Sequence, residues 1–130
     1  AERGAIVMVN SMSTKKIVGA QAGYATSKAA LATATKALAM ELAPLGIRVN
    51  SCFMGWMWGA SVKGYVDGMA AQTGADPAVV KKGIEKDIPL GVMPTDAECA
   101  KACLFLVSDY AKVIVGAALD VNGGEYMSMG

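Results

Sequence analysis

Short apolar runs alternate along this chain with longer helix-forming stretches, and few folds are compatible with that order. The runs at residues 5–10, 47–53 and 113–121 are rich in valine and isoleucine and are bounded by glycine or polar residues. Short, nearly continuous apolar runs of this kind are typical of strands that are buried on both faces. The sequence therefore predicts three buried strands.

Between these runs the composition favours helices. Residues 24–43 are mostly alanine and other helix formers and are followed by Pro44 and Gly46, which end a helix. Thr95 or Asp96 could cap a further helix that extends to about residue 107. Strands that alternate with helices predict an α/β fold with a parallel sheet between helical layers.

Residues 54–94 interrupt this alternation. The segment contains glycines at 55, 59, 64, 68, 74, 83 and 91, and we expect two short helices in it, at about 62–73 and 77–86. Long connections in compact domains are often binding loops or lids, so this excursion is a candidate substrate loop.

Composition excludes several classes of function. The 130 residues fit one domain, the net charge is +1 and the lysines are scattered, so we expect no nucleic-acid partner. No apolar run reaches the roughly 18 residues of a membrane helix. The three cysteines are an odd number without metal-ligand spacing, which favours a reduced, cytoplasmic setting and no metal site. The absence of histidine excludes Ser-His-Asp hydrolysis.

Tyr24 and Lys28 are the strongest candidates for proton chemistry. They are four residues apart, so on a helix they lie on one face. A nearby ammonium stabilises a phenolate, which makes the pair a possible general acid and base. Taken alone, the same spacing is more often found on an ordinary surface helix.

The surrounding motifs add weight to the catalytic interpretation. An apolar strand ends in Asn10-Ser11, and Tyr24-x-x-x-Lys28 opens an alanine-rich helix. The further matching segments are residues 39–43 (Ala-Met-Glu-Leu-Ala), 46–50 (Gly-Ile-Arg-Val-Asn) and 116–124 (Gly-Ala-Ala-Leu-Asp-Val-Asn-Gly-Gly). In this order and spacing, the chain resembles the C-terminal half of a short-chain dehydrogenase/reductase. The resemblance implies a Rossmann-like three-layer α/β/α fold of which only the C-terminal part is present.

The resemblance also implies roles for individual residues. The family's serine lies thirteen positions before the tyrosine and binds the substrate oxygen, which corresponds to Ser11, with Ser13 as the alternative. Tyr24 would exchange the proton, and Lys28 would contact the nicotinamide ribose of NAD or NADP. The implied activity is an NAD(P)-dependent interconversion of a secondary alcohol and a ketone.

The segment after the second strand departs from the family pattern. Met54-Gly55 stands where Pro-Gly is usual, and Gly59 lies near the usual hydroxyl residue. The backbone of Gly55, Trp56 and Met57 could still contact the nicotinamide. Trp56 and Trp58 could form the wall of a substrate pocket, or could equally pack beneath a loop.

The family's Thr-Gly-x-x-x-Gly-x-Gly turn does not occur in the sequence. We therefore expect residues 1–130 to be the C-terminal part of a single NAD(P)-binding domain, and to be inactive in isolation. The alternative is a non-catalytic fragment or scaffold of the same fold. The family also implies a homo-oligomer, a dimer or a tetramer, acting on a small-molecule alcohol or ketone.

Overall fold

In the computed structural model, which describes residues 3–129, three parallel strands form one sheet in chain order. They are β1 (Gly4–Ser11), β2 (Ile47–Met54) and β3 (Ala118–Val121). Helix α1 (Ala22–Leu42) packs on β1 and β2 from one side, and helix α4 (Asp96–Val107) packs on them from the other. The predicted α/β fold with a parallel sheet between helical layers is confirmed.

Strand β2 is the centre of the sheet. It pairs with β1 along its whole length and with β3 over its last four residues. On one face, Ser51 Oγ hydrogen-bonds Thr35 Oγ1 of α1 at 3.0 Å. On the other face, Cys52 packs in one apolar cluster with Cys99 and Leu106 of α4. Burial on both faces agrees with the apolar residues of β2, and its buried polar residues Asn50 and Ser51 are hydrogen-bonded.

Helix α1 begins at Ala22, two residues before the predicted start, and ends at Leu42, one residue before the predicted end. Gly46 follows it with a φ of 76°, a left-handed conformation that favours glycine, and the chain turns there into β2. Only small side chains of α1, including Ala25 and Ala39, are buried. Met40 on the outer side is 81% exposed.

Two further helices occupy the excursion after β2. Helix α2 (Ala60–Thr73) ends at Gly74, and helix α3 (Pro77–Glu85) begins after Asp76, whose side chain accepts a hydrogen bond from the Ala78 N–H at 2.8 Å. The two helices pack against each other. Both were predicted, with boundaries shifted by one or two residues.

Helix α4 has the capping signal that the sequence indicated. The Thr95 hydroxyl accepts a hydrogen bond from the Glu98 N–H, and the Glu98 carboxylate accepts one from the Thr95 N–H. This reciprocal arrangement satisfies two N–H groups that the helix itself cannot. The hydrogen bonds from Thr95 hold the pKa of the Glu98 carboxyl below its usual range.

The third strand is shorter than predicted. A strand was expected from 113 to 121, but β3 comprises only Ala118–Val121. Gly116 has a φ of 71°, which interrupts extended backbone, and side chains of β2 bind the preceding stretch. The Asn50 amide donates to the Ile114 carbonyl at 3.0 Å and accepts from the Ala117 N–H at 2.9 Å. Two backbone hydrogen bonds, from the Gly116 N–H to the Val49 carbonyl and from the Ser51 N–H to the Ala117 carbonyl, complete the attachment of residues 113–117 to β2.

Arg48 of β2 adds to this attachment. Its guanidinium donates to the carbonyls of Leu106 at 2.8 Å, Ser108 at 3.1 Å and Ile114 at 3.5 Å. The first of these carbonyls lies in the last turn of α4, where helix carbonyls have no partner within the helix and the helix dipole favours a cation. Arg48 thus fixes the C-terminal end of α4 to β2.

The segment after β3 folds back over the loop that follows β1. Lys15 pairs with Asp120 at 2.6 Å and donates to Ser128 Oγ at 2.8 Å, and Lys16 pairs with Glu125 at 2.9 Å. Burial alone would raise the pKa of Asp120, but hydrogen bonds from Lys15 and Ser128 outweigh it and lower the pKa. Together these pairs anchor the C-terminal segment at the end of the sheet where β1 terminates.

The outer edge of β1 has no partner strand among residues 3–129. Ile6 is 38% exposed and Val9 is 50% exposed. In the part of the chain that is described, no helix is both long enough and apolar enough to cross a membrane.

The attachment of α4 predicts the effect of replacing Arg48. In the full-length protein, Arg48→Leu should lower the free energy of unfolding by about 3 kcal/mol, because charged hydrogen bonds are lost and partly buried carbonyls are left unpaired. Denaturant unfolding followed by circular dichroism measures the change. Lys112→Ala, which removes an exposed cation of the same region, should change stability by less than about 0.5 kcal/mol. Equal losses in the two variants would contradict the role given to Arg48.

Candidate active site

The parallel register brings the carboxyl ends of the strands to one rim. Ser11 lies opposite Met54, and Met54 lies opposite Val121. Gly55 follows at the same level, and its N–H donates to the Val121 carbonyl at 3.2 Å. A Cβ on Gly55 would lie 2.7 Å from Asn122 Cβ. The rim therefore closes tightly at Gly55, where only glycine fits between the ends of β2 and β3.

Ser11 is the last residue of β1 and caps a short 3₁₀ turn, Met12–Thr14. Its Oγ accepts a hydrogen bond from the Ser13 N–H at 3.1 Å. A serine hydroxyl has one hydrogen to donate and can accept twice. Among the described residues no acceptor takes the Ser11 hydrogen, so the half-buried hydroxyl can donate it to an oxygen placed at the rim.

Ser13, the alternative, is in a different environment. Its residue is only 6% exposed, and its Oγ has no hydrogen-bond partner within the described part of the chain. The Ser13 hydroxyl thus lies below the surface, whereas Ser11 stands at the end of the strand.

Tyr24 and Lys28 are brought together as the spacing predicts. Tyr24 lies in the first turn of α1 and is 50% exposed. The Lys28 Nζ is 5.9 Å from the centre of the Tyr24 ring and donates to the Val9 carbonyl at 3.1 Å. The two side chains thus lie on the same face of α1, with the ammonium of Lys28 turned toward β1.

An open cavity of about 660 Å³ adjoins this pair. Its walls come from the end of β1, the first turn of α1, the segment after β2 and the face of α4, and include Val9, Tyr24, Gly55, Met57, Gly59, Asp96, Cys99 and Cys103. Two of the three residues predicted to contact a nicotinamide, Gly55 and Met57, thus line a cavity that Tyr24 also lines. A cavity of this volume is within the usual range for small-molecule sites.

The two tryptophans lie outside the lining of this cavity. The Trp56 ring packs on Tyr65 of α2, with ring centres 5.6 Å apart. Trp58 pairs with Thr95 through a single bridge, and the Lys81 Nζ lies 4.6 Å above its ring. Both residues are half-buried, and each ring packs against a residue of the excursion itself.

Gly59 and Asp96 form a contact that the sequence did not indicate. A Cβ at Gly59 would collide with the Asp96 carboxylate, and both residues line the cavity. The usual hydroxyl residue of the family pattern could not occupy position 59 without moving Asp96. A carboxylate therefore stands at the cavity wall where a hydroxyl was expected.

Cys52 and Cys99 contribute no reactive thiolate. Burial, followed by the neighbouring Cys103 and Cys99 thiols, raises the pKa of Cys52 to about 12. Burial, followed by the Asp96 and Glu98 carboxylates, also raises the pKa of Cys99. These thiols stay protonated at neutral pH and fill space in the apolar cluster beneath the cavity. Within residues 3–129, no three His, Cys, Asp or Glu side chains meet in a way that could hold a metal ion.

Asn10, which precedes Ser11 in β1, contacts two of the predicted site residues. It is 2% exposed, its side-chain NH₂ donates to the Lys28 carbonyl at 3.1 Å, and its Oδ1 accepts from the Ser11 N–H at 2.8 Å. A polar residue at the end of an apolar strand was the available signal, since buried amides need partners. Which partners it takes depends on the fold.

The chain matches a known family along almost its whole length. The family model described as enoyl-(acyl carrier protein) reductase matches residues 1–125. Among curated relatives, Protein FixR of Bradyrhizobium diazoefficiens is 38% identical over 98% of this chain and 41% of its own length. The 3-oxoacyl-[acyl-carrier-protein] reductase FabG of Escherichia coli is 36% identical over 95% of this chain and 46% of its own length.

Solved structures agree with the sequence comparison. L-sorbose reductase from Gluconobacter frateurii, crystallised with NADPH and L-sorbose, superposes with a TM-score of 0.93 at 26% identity. The match covers 98% of this chain and 49% of that protein, so the chain spans about half the length of the proteins it matches. With the Rossmann-like parallel sheet and the Tyr24-Lys28 helix in their expected places, the chain belongs to the short-chain dehydrogenase/reductase family.

Proposed function

We propose that the protein containing this chain is an NAD(P)-dependent oxidoreductase that interconverts a secondary alcohol and a ketone, with Tyr24 as the proton donor and acceptor. The observation that carries this proposal is the placement of Lys28. Its ammonium lies 5.9 Å from the Tyr24 ring and is held by the Val9 carbonyl, two residues before Ser11. This contact joins the Lys28 side chain to the end of β1 that continues into Ser11, which supports a shared site for Ser11, Tyr24 and Lys28.

The chemistry follows from what these side chains can do. A bound nicotinamide would supply or accept the hydride at the substrate carbon. In the reducing direction the Ser11 hydroxyl donates a hydrogen bond to the substrate oxygen and stabilises the charge that develops there. The Tyr24 hydroxyl gives its proton to that oxygen, and the Lys28 ammonium stabilises the phenolate that remains. In the oxidising direction the same proton returns to Tyr24.

The residues of the cavity fit the nicotinamide end of such a cofactor. Gly55 and Met57 line the cavity, and the predicted contacts at Gly55, Trp56 and Met57 require only backbone groups. Lys28 would hold the ribose hydroxyls. The pyrophosphate and adenine would be held by a glycine-rich turn preceding this segment, since residues 1–130 would form the C-terminal part of a single domain.

The substrate class can be tested from the relatives. The Escherichia coli relative is named as a reductase of a 3-oxoacyl thioester, and L-sorbose reductase as acting on a keto sugar. A 3-oxoacyl thioester and a ketose are therefore the first two probes, each offered with NADH and with NADPH. Oxidation of either dinucleotide by a carbonyl probe supports the proposal, whereas a full-length protein that binds no dinucleotide supports the scaffold alternative.

The exposed face of α1 supports a homo-oligomer, a dimer or a tetramer. The three free cysteines support a cytoplasmic location. Ala34 and Ala37 are exposed on this helix, and Met40 is 81% exposed. Small and apolar residues on an outer face are suited to close packing against a second helix layer.

Tyr24→Phe provides the central test. In the full-length protein it should lower kcat by several orders of magnitude while leaving folding and dinucleotide affinity nearly unchanged, because only the hydroxyl is lost. Tyr65→Phe is the matched control, since Tyr65 packs on Trp56 and keeps its ring in the variant. Steady-state kinetics with the best carbonyl probe measures both. A Tyr24→Phe enzyme with near-normal turnover would refute the proposed role.

Lys28→Ala tests the second member of the pair. We expect a loss of kcat together with weaker dinucleotide binding, because one ammonium serves both tasks. Fluorescence titration with NADH and NADPH measures the affinity. Unchanged affinity would show that Lys28 does not contact the cofactor.

The two serines are distinguished by their environments. Ser11→Ala should lower kcat by roughly 100-fold, because it removes a donor to the developing oxyanion. Ser13→Ala removes a buried hydroxyl without a described partner, so its kcat should remain within about twofold of wild type. The reverse order of effects would transfer the substrate-oxygen role to Ser13.

Assembly is tested by charge on α1. Ala34→Glu or Ala37→Glu should convert the oligomer to smaller species if this face is the contact, because a carboxylate buried there has no partner. Sedimentation velocity measures the change. Thr33→Glu, at a third exposed position of the same helix, should have the same effect. A wild-type protein that sediments as a monomer at high concentration would contradict the proposed oligomer.

A further inference from the structure

The side chain of Asn10 connects the two elements that carry the proposed chemistry. It leaves β1 one residue before Ser11 and is almost fully buried, with 2% exposure. Its NH₂ group donates to the backbone carbonyl of Lys28 at 3.1 Å, and its Oδ1 accepts from the backbone N–H of Ser11 at 2.8 Å. One amide therefore spans from the end of the strand to the Lys28 turn of α1.

The orientation of this amide is determined by its partners. The Lys28 carbonyl can only accept a hydrogen bond, and the Ser11 N–H can only donate one. Rotating the amide by 180° would place oxygen against oxygen and NH₂ against N–H. Aspartate keeps the shape but lacks the donor, and alanine lacks both groups. Asparagine is thus matched to these two partners by length and by the order of donor and acceptor.

Lys28 is held at both of its ends by consecutive residues of β1. Asn10 binds its backbone carbonyl, and the Val9 carbonyl accepts from its ammonium at 3.1 Å. The same short stretch of strand continues directly into Ser11. The end of β1 therefore fixes two things at once. It sets the position of the Ser11 backbone and the position of the turn of α1 that carries Lys28.

We propose that Asn10 is a positioning residue that fixes the Ser11 hydroxyl relative to the Tyr24–Lys28 pair. This inference rests on the proposed function, because it assigns Asn10 a role in aligning the groups that act on the substrate oxygen. Reacting groups must be held to within about 0.5 Å for efficient catalysis, and a displacement of about 1 Å can cost 100-fold in rate. A buried amide with both hydrogen-bonding groups engaged supplies this precision.

The chain contains a matched control for this residue. Asn50 is also buried, with 0% exposure, and its amide bridges the Ile114 carbonyl and the Ala117 N–H with nearly the same distances. Its partners belong to the stretch before β3 and include none of the proposed site residues. Replacing Asn50 removes two buried hydrogen bonds that only stabilise the fold. Replacing Asn10 removes two similar hydrogen bonds that also contact Ser11 and Lys28.

The test compares Asn10→Ala, Asn10→Asp and Asn50→Ala in the full-length protein. We expect both Asn10 variants to lower kcat by roughly 10- to 100-fold, with KM for the carbonyl probe within about threefold of wild type. Asn50→Ala should lower the melting temperature at least as much as Asn10→Ala and yet keep kcat within about twofold. A purely structural Asn10 would give losses of stability without this difference in kcat.

A second measurement does not depend on turnover. Hydrogen exchange of the Ser11 amide, followed by NMR, should become at least roughly 10-fold faster in Asn10→Ala, because its acceptor is lost. In Asn10→Asp the carboxylate can still accept, so exchange at Ser11 should stay slow while kcat falls. That combination would assign the loss of rate to the contact with Lys28.

The outcomes separate the inference from the proposed function. Turnover by Asn10→Ala and Asn10→Asp within about twofold of wild type, with Tyr24→Phe inactive, would overturn the positioning role and leave the proposed function in place. Active Tyr24→Phe, or a wild type that oxidises no dinucleotide, would overturn the proposed function and the inference with it. If neither Asn10 variant folds, Asn10 is a residue of the fold alone, and the inference is also overturned.

Discussion

Strand β2 is paired on both edges and covered on both faces, and the position of each candidate side chain follows from this. Its register with β1 fixes the level of Ser11, and its register with β3 fixes the level at which the chain turns after Val121. The side chains of Arg48 and Asn50 extend its influence to residues that do not pair with it as a strand. A parallel sheet places all carboxyl ends at one rim, so a single well-anchored central strand is enough to assemble a site there.

Two of the three side chains proposed for the chemistry are held in place by β1 and the turn after it. Ser11 caps that turn, and Lys28 is bound by the Val9 carbonyl and the Asn10 side chain. The Tyr24 hydroxyl has no hydrogen-bond partner among the described residues, and Tyr24 is 50% exposed, as suits a group that must meet a substrate. The departures from the family pattern concentrate instead at the cavity wall, where Gly59 leaves room for the Asp96 carboxylate. The cavity wall at Gly59 and Asp96 thus departs from the family pattern, while Ser11, Tyr24 and Lys28 keep to it.

Local signals in the sequence were sufficient for most of the fold. Strands β1 and β2, helix α1 and the capping box at Thr95 depend on residues close to one another in the chain, and all were predicted. The stretch from 113 to 117 was wrongly predicted as strand because its bonding partners, Arg48 and Asn50, lie more than 60 positions earlier. Valine and isoleucine there satisfy a strand pattern, but Gly116 and the side chains of β2 decide the conformation. The same limit applies to Asn10, whose partners became identifiable only when strand and helix were placed together.

The close approach at Gly55 also links positions that are distant in sequence. A Cβ at 55 would lie 2.7 Å from Asn122 Cβ and 3.2 Å from the Met12 sulfur, so the space available there depends on three residues at once. The cost of enlarging residue 55 is then not a property of that position, because it changes with the occupants of 12 and 122. Substitutions at residues in contact do not have additive effects. In this chain a larger residue at position 55 is compatible with the fold only if residue 12 or 122 becomes smaller or moves, so the three positions must change together.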